Sequence, residues 1–279
     1  MGSETGDYLR SSLEGGFVPW AAEREAARRY YLDARSVEAA ALELGLLPAR
    51  YARNAGSLGI EGQKALHNAR VLVVGCGGLG GHLIEGLARL GVGYIVAVDP
   101  DCFDESNLNR QILCTTENLG KPKADEAARR AALINPACVV APQRERLGPE
   151  NTDSLLSSVQ IAMDGLDSVS ARITLSEACS RAGVTLVHAA VAGWYGQAST
   201  QGGGKVSAAN VAKLYALAAG SSDRGDEQRL GNQAYGPAFA AAIQLAEACK
   251  IICGKSPALE NKLYTYDLLA MSSASFDLS

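Results

Sequence analysis

Arg70-Val-Leu-Val-Val-Gly-Cys-Gly-Gly-Leu-Gly-Gly-His82 opens as a short apolar run and breaks abruptly into glycines. Val71 to Val74 read as a buried strand, and the glycines that follow leave room where a side chain would obstruct a phosphate. Beyond Gly80, the apolar positions Leu83, Ile84, Leu87 and Leu90 fall at helical spacing, and Gly91 marks the helix end. The N-terminus of that helix turns backbone N–H groups toward any anion in the turn. Gly93-Tyr-Ile-Val-Ala-Val-Asp99 is a second buried strand closing on an acid, where a ribose hydroxyl is gripped in a mononucleotide-binding βαβ unit. A glycine pattern alone is weak evidence. Strand, glycines, amphipathic helix, strand and terminal acid in this order point to a bound nucleotide.

The same alternation continues down the chain. Lys123 to Ile134 reads as a helix stopped by Asn135-Pro136, Cys138 to Ala141 as a third strand, and Asn151 to Ser158 as a helix. Val159 to Met163 is a fourth strand ending at Asp164-Gly-Leu-Asp167, Ser168 to Ala182 a capped helix, and Val184 to His188 a fifth strand. This pattern predicts an α/β, Rossmann-like fold with a mostly parallel sheet and helices on both faces. Trp194 to Thr200 fits a further strand, and an Ala-rich helix is expected over Ala208 to Ala219. That helix lies between two stretches expected to be flexible, Gln201 to Lys205 and Ser221 to Gln228. Pro237 opens a helix to Ile252 with an expected core stripe of Ala242, Leu245, Cys249 and Ile252, and Lys262 to Asp267 reads as a late edge strand.

Ahead of this unit, residues 1–20 show no clear periodicity and are expected to be loosely held. Ala21 to Tyr31 and Ser36 to Leu44, with Ser36 as the expected cap, form a small helical N-terminal extension, so the chain divides into 1–49 and 50–279. A short helix, Gln63 to His67, leads into the first strand. The 279 residues, 47% of them hydrophobic, are ample for a core, and the net charge of −4 offers no basic field for nucleic acid. With no run of 18 apolar residues and no basic-then-apolar leader, no membrane association is expected and the cytoplasm is the expected location. Seven scattered cysteines without a Cys-x-x-Cys pair read as reduced thiols.

The chemistry concentrates after Asp99. The loop through Gln111 and the helix start at Lys123 bring Asp99, Asp101, Asn107, Arg110, Gln111, Lys121 and Lys123 near one nucleotide. A dinucleotide pyrophosphate is satisfied mostly by backbone N–H, so extra Arg and Lys beside the turn argue for a triphosphate. One carboxylate of the Asp164/Asp167 pair suits Mg²⁺, which takes one or two carboxylates plus phosphate oxygens; Asp167 is favoured, with Asp164 as the helix cap or the roles exchanged. The set fits adenylyl transfer, in which a carboxylate attacks the α-phosphate.

Gly75-x-Gly-Gly-Leu-Gly80, Asp99-x-Asp101, Ser106-Asn-Leu-Asn-Arg-Gln111, Gly120-Lys-Pro-Lys123, Ile134-Asn-Pro136 and Asp164-Gly-Leu-Asp167 together resemble the MoeB/ThiF/HesA family, bacterial relatives of ubiquitin-activating enzymes. The resemblance runs from about Arg50 to Asp267. It implies a Rossmann-like homodimer that uses ATP to adenylate the C-terminal Gly-Gly carboxylate of a small ubiquitin-like sulfur carrier. It implies further that Gly75, Gly77, Gly78 and Gly80 cradle the nucleotide, that Asp99 binds the ribose hydroxyls and that Asp101 is also among the nucleotide-binding residues. Asn107, Arg110 and Lys123 would contact the phosphates, with Gln111 in support, and Asp167 would hold Mg²⁺. Arg53 would be a finger supplied by the partner subunit, so Arg53, Arg110, Lys123 and Asp167 form the expected catalytic set.

The chain also departs from that family. The paired Cys-x-x-Cys motifs of a structural zinc are missing, so no zinc is expected, and residues 189–248 contain no cysteine to form a thioester or persulfide. Adenylation without a covalent cysteine intermediate is therefore the expected activity. The alternatives are adenylation of a small-molecule or cofactor-precursor carboxylate and, on the bare glycine motif with Asp99, an NAD-dependent oxidoreductase.

Overall fold

The computed structural model describes residues 3–202, 211–216, 223 and 227–278. In chain order the N-terminal part contains α1 (Ser3–Ser11), β1 (Phe17–Val18), α2 (Trp20–Arg29), α3 (Ala34–Glu43), β2 (Leu47–Pro48) and α4 (Ala55–Asn68). The alternating unit follows as β3 (Arg70–Val74), α5 (Gly78–Leu90), β4 (Tyr94–Val98), α6 (Lys123–Ile134), β5 (Val139–Gln143), α7 (Thr152–Leu156), β6 (Ile161–Asp164), α8 (Val169–Ala182) and β7 (Thr185–Ala192). Then come β8 (Tyr195–Gln201), α9 (Val211–Ala216), α10 (Glu227–Leu230), α11 (Tyr235–Ile252), β9 (Lys262–Asp267) and β10 (Ser272–Asp277).

One eight-stranded sheet runs β10-β9-β8-β7-β6-β3-β4-β5. The strands from β7 through β5 are parallel, and β8, β9 and β10 join antiparallel to their neighbours. β3 lies in the middle with both faces covered, which is why Val71 to Val74 carry no polar residue. Leu83, Ile84 and Leu87 of α5 pack over one face of the sheet with Ala124, Ala127 and Ala131 of α6 and Ala241 and Ala248 of α11. Leu155 and Leu156 of α7 and Leu175, Ala178 and Cys179 of α8 cover the other. Among the described residues no helix is long and apolar enough to cross a membrane.

The structure corrects several expectations at the ends of the chain. The first 20 residues are not loose: Leu9 and Val18 are fully buried against Ala26, Val37 and Ala41, a core too short in sequence to show a period. α3 is capped by Asp33, whose carboxylate accepts the Ser36 N–H at 2.7 Å, so Ser36 is the capped residue. The lead-in helix is longer than expected: α4 breaks at Gly59, whose φ is +64°, and its second part runs from Ile60 to Asn68. β9 is an inner strand because β10, exposed throughout, pairs outside it. In α11 the buried face is Ala240, Ala241, Gln244, Glu247 and Ala248, while Ala242 is exposed and Cys249 only partly buried. Most of the two stretches expected to be flexible, and the ends of the helix expected over 208–219, lie outside the described residues.

The extension is joined to the sheet unit by buried polar contacts. Glu38 of α3 accepts from the Tyr51 hydroxyl at 3.0 Å and lies 2.8 Å from His67 Nδ1, and Arg50 bonds both Glu38 and Glu23. Asn135 Nδ2 donates to Tyr51 Oη at 2.7 Å and to the Ala88 carbonyl at 3.0 Å, so the Asn-Pro pair after α6 holds the tyrosine that bonds Glu38.

Candidate active site

β4 and β5 continue the sheet to one side of β3, and β6 and β7 return to the other. The strand order therefore reverses between β3 and β6, where ligands bind α/β sheets beyond the carboxyl ends of the strands. Val74 pairs with Val98 and with Asp164, which sets Gly75, Asp99 and Gly165 side by side. A cleft of about 890 Å³ opens there, lined by Gly75, Gly77, Gly78, Asp99, Asp101, Arg110, Gln111, Lys123 and Asp167 among others.

The glycines divide by task. Gly75 has φ +90°, and a Cβ on it would meet the Gly165 carbonyl oxygen at 2.4 Å. A Cβ on Gly80 would lie 1.6 Å from the Gly75 oxygen, and Gly80 does not line the cleft; it lets α5 pack against the turn. Gly77, which precedes α5 without any side-chain cap, and Gly78 face the cleft, so the first N–H groups of a 13-residue helix are free to meet an anion.

Asp99 is buried, with Oδ2 accepting the Cys76 N–H at 2.7 Å and Oδ1 the Asp101 N–H at 2.8 Å. Burial pushes its carboxyl above the usual carboxylate range, against these two bonds and the nearby Lys123 ammonium, which pull it down. Lys123 is buried at the start of α6 with Nζ 3.4 Å from Asp101 Oδ2, whereas Lys121 is exposed and does not line the cleft. The carbonyls of Ser106 and Asn109's side chain hold Arg110 Nη1 at 3.0 and 2.9 Å. Gln111 is buried beside Gly77 with its Oε1 unpartnered, an acceptor ready for a ligand hydroxyl or water. Asn107 is not at the cleft: its Oδ1 accepts the Asp104 N–H at 3.1 Å and closes the single 3-10 turn at 105–107. Arg53 is exposed and outside the cleft of its own chain.

The acidic pair after β6 separates as well. Asp164 is fully buried, bonded to His188 Nδ1 at 2.6 Å and to the Leu166 N–H at 2.9 Å, so it is neither exposed to a metal nor a helix cap. Ser168 caps α8 instead, accepting the Ala171 N–H at 3.3 Å. Asp167 lines the cleft, and a single carboxylate facing a space for phosphate oxygens matches the donor set of Mg²⁺. Sequence reasoning missed Glu145, Arg146, Arg172 and Asn232 in the cleft lining. Glu145 and Arg146 follow β5, whose carboxyl end lies beside Asp99, but that strand ends two residues later than its sequence indicates.

The ThiF family matches residues 51–279. The SAMP-activating enzyme E1 of Haloferax volcanii is 33% identical over 225 residues, which cover 80% of this chain and 82% of that protein. The probable adenylyltransferase/sulfurtransferase MoeZ of Mycobacterium tuberculosis is 35% identical over 228 residues, covering 80% of this chain but only 58% of MoeZ. A crystal structure of E. coli MccB with AMPCPP and selenomethionine MccA superposes with a TM-score of 0.70 at 22% identity, covering 83% of this chain and 72% of that one; it speaks to the fold alone. The chain therefore belongs to the ThiF family, as an adenylyltransferase of the E1 type.

Proposed function

We propose that this protein binds ATP with Mg²⁺ in the cleft between β3 and β6 and adenylates the C-terminal Gly-Gly carboxylate of a small ubiquitin-like or sulfur-carrier protein. The observation that carries the reading is the convergence of Asp99, Arg110, Gln111, Lys123 and Asp167 on one glycine turn. Asp99 holds the ribose hydroxyls, and the N–H groups at the start of α5 receive phosphate oxygens. Lys123 and Arg110 offset the negative charge that develops on the triphosphate. Asp167 holds Mg²⁺, which when bound neutralises phosphate charge. A carboxylate oxygen of the carrier forms a bond to the α-phosphorus, the bond to the bridging oxygen breaks, and pyrophosphate leaves with the electron pair. No proton transfer is needed.

The intermediate stays on the carrier. Cys76 lies in the glycine turn, but burial and the Asp99 carboxylate push its thiol well above the ordinary range, leaving little thiolate to attack an acyl-adenylate. Arg53 acts from a second copy of the chain, since it lies outside its own cleft, and the working form is a homodimer in which residues 50–279 are the adenylation domain. ATP–pyrophosphate exchange tests the reading: exchange should require a Gly-Gly-ended carrier. Exchange with a small acid and with no such carrier would move the substrate to a metabolite carboxylate, and tighter binding of NAD than of ATP·Mg²⁺ would overturn the triphosphate site.

A further inference from the structure

The segment between β8 and α11 reaches the Asp167 wall of the cleft through two side chains, Tyr215 of α9 and Asp223. Tyr215 is a hydrogen-bond hub. His188 bridges inward and outward, with Nδ1 2.6 Å from an Asp164 carboxylate oxygen and Nε2 3.4 Å from the Tyr215 hydroxyl. The Tyr215 oxygen in turn accepts from Arg172 Nη1 at 3.1 Å and Gln197 Nε2 at 3.4 Å. Both ends of this chain grip the turn that carries Asp167. Asp164 Oδ1 takes the Leu166 N–H at 2.9 Å, and Arg172 Nη2 donates to the Leu166 carbonyl at 2.6 Å.

Asp223 approaches from the other side. Its carbonyl accepts the Val169 N–H at 2.7 Å, and its carboxylate accepts the Ser170 N–H at 2.9 Å and the Ser170 hydroxyl at 3.2 Å. The first N–H groups of α8, immediately after Asp167-Ser168, are thus satisfied by a residue 53 positions away. Asp167 thus lies between the Leu166 contacts, which Tyr215 backs through Arg172 and His188, and the α8 N-terminus held by Asp223.

We infer that Tyr215 and Asp223 are positioning residues that fix the Asp164–Ser168 turn, and through it aim the Asp167 carboxylate at the divalent cation that accompanies the nucleotide. The inference rests on the ATP·Mg²⁺ site proposed above. Groups that orient a metal-binding carboxylate typically change metal affinity by about 10- to 100-fold when removed. Tyr215→Phe removes only the hydroxyl and keeps the ring edge-on to His188, 5.7 Å between centroids. Asp223→Ala removes the carboxylate and keeps the backbone bond to Val169.

Calorimetric titration of the full chain with the non-hydrolysable analogue AMPCPP, with and without Mg²⁺, reads the effect without turnover. Each variant should lose roughly ten-fold of the affinity gained on adding Mg²⁺, with Mg²⁺-free binding unchanged; because both substitutions also remove hydrogen bonds of the fold, each variant is titrated well below its own melting temperature. In an Asp167→Asn background neither substitution should cost anything more, because their effect passes through that carboxylate. An equal loss with and without Mg²⁺, or losses that add to that of Asp167→Asn, would refute the positioning role while leaving the site intact. An Asp167→Asn protein with an unchanged Mg²⁺ response would overturn the cation site itself, and this inference with it.

Discussion

Lys123→Met separates catalysis from stability at the residue on which the adenylation reading leans most. The lysine stem is buried at the start of α6, with 9% of its side chain exposed, while its ion-pair partner, Asp101, is 58% exposed. That pair therefore contributes under about 1 kcal/mol to folding, and methionine retains most of the packing of the stem. An ammonium about 4 Å from a phosphate oxygen in a site of effective dielectric near 20 interacts by about 4 kcal/mol. Loss of one preorganised charge-stabilising donor costs about 2.7–4 kcal/mol, or roughly 10²–10³ in kcat. The catalytic effect should thus exceed the folding effect several-fold. ATP–pyrophosphate exchange should fall by roughly 10²–10³, with the melting temperature moving by less than about 4 °C. Lys121→Met, at an exposed residue off the cleft, is the matched control and should behave as the parent. Equal losses in the two variants, or a Lys123→Met enzyme of normal rate, would refute the assignment.

Packing and burial elsewhere in the fold set three other expectations. Gly80→Ala drives a methyl to 1.6 Å from the Gly75 oxygen, a backbone contact no rotamer relieves; a cost of about 3 kcal/mol should lower the melting temperature by roughly 6–12 °C and abolish nucleotide binding, and a parent-like melting curve would count against the packing role. Glu23 is pushed from 4.5 up to about 7, chiefly by burial. A raised acid holds its proton longer in the folded state, so its contribution makes stability fall as pH rises from about 4.5 to about 7 and level off above. Melting of the parent and of Glu23→Gln across that window should show this slope only in the parent. Finally, iodoacetamide should label exposed Cys102 in the native protein and spare buried Cys76, and Cys76→Ala should retain exchange activity; loss of exchange on that substitution would implicate the thiol.

Much of the site is readable in the chain because it is built locally. The β3–α5–β4 unit needs only neighbouring residues to declare itself, and α6 begins and ends at Lys123 and Ile134 as its sequence indicates, with Pro122 before it and Asn135-Pro136 after. What stays hidden depends on contacts distant in sequence. Asp164 and Asp167 look alike in the chain, and only the fully buried His188 of the next strand separates a buried structural acid from one facing the cleft. α11 is mostly Ala and other apolar residues, and a polar Gln244 reads as outward-facing in the sequence; it faces inward because its Nε2 bonds the Asp164 and Val187 carbonyls, each at 3.0 Å. β10 is exposed on both faces and serine-rich, so it lacks the alternation that marks a strand. Asn107 sits in a motif whose neighbours line the cleft, yet its oxygen shapes the loop that presents Arg110.

A crystal grown with AMPCPP and Mg²⁺ tests the central claim most directly. The account predicts ribose oxygens on the Asp99 carboxylate, phosphates between the Gly77–Gly78 turn and the Lys123 and Arg110 side chains, and the metal ion on Asp167. A nucleotide bound outside the β3–β6 crevice, or one whose phosphates lie away from Lys123 and Arg110, would contradict it.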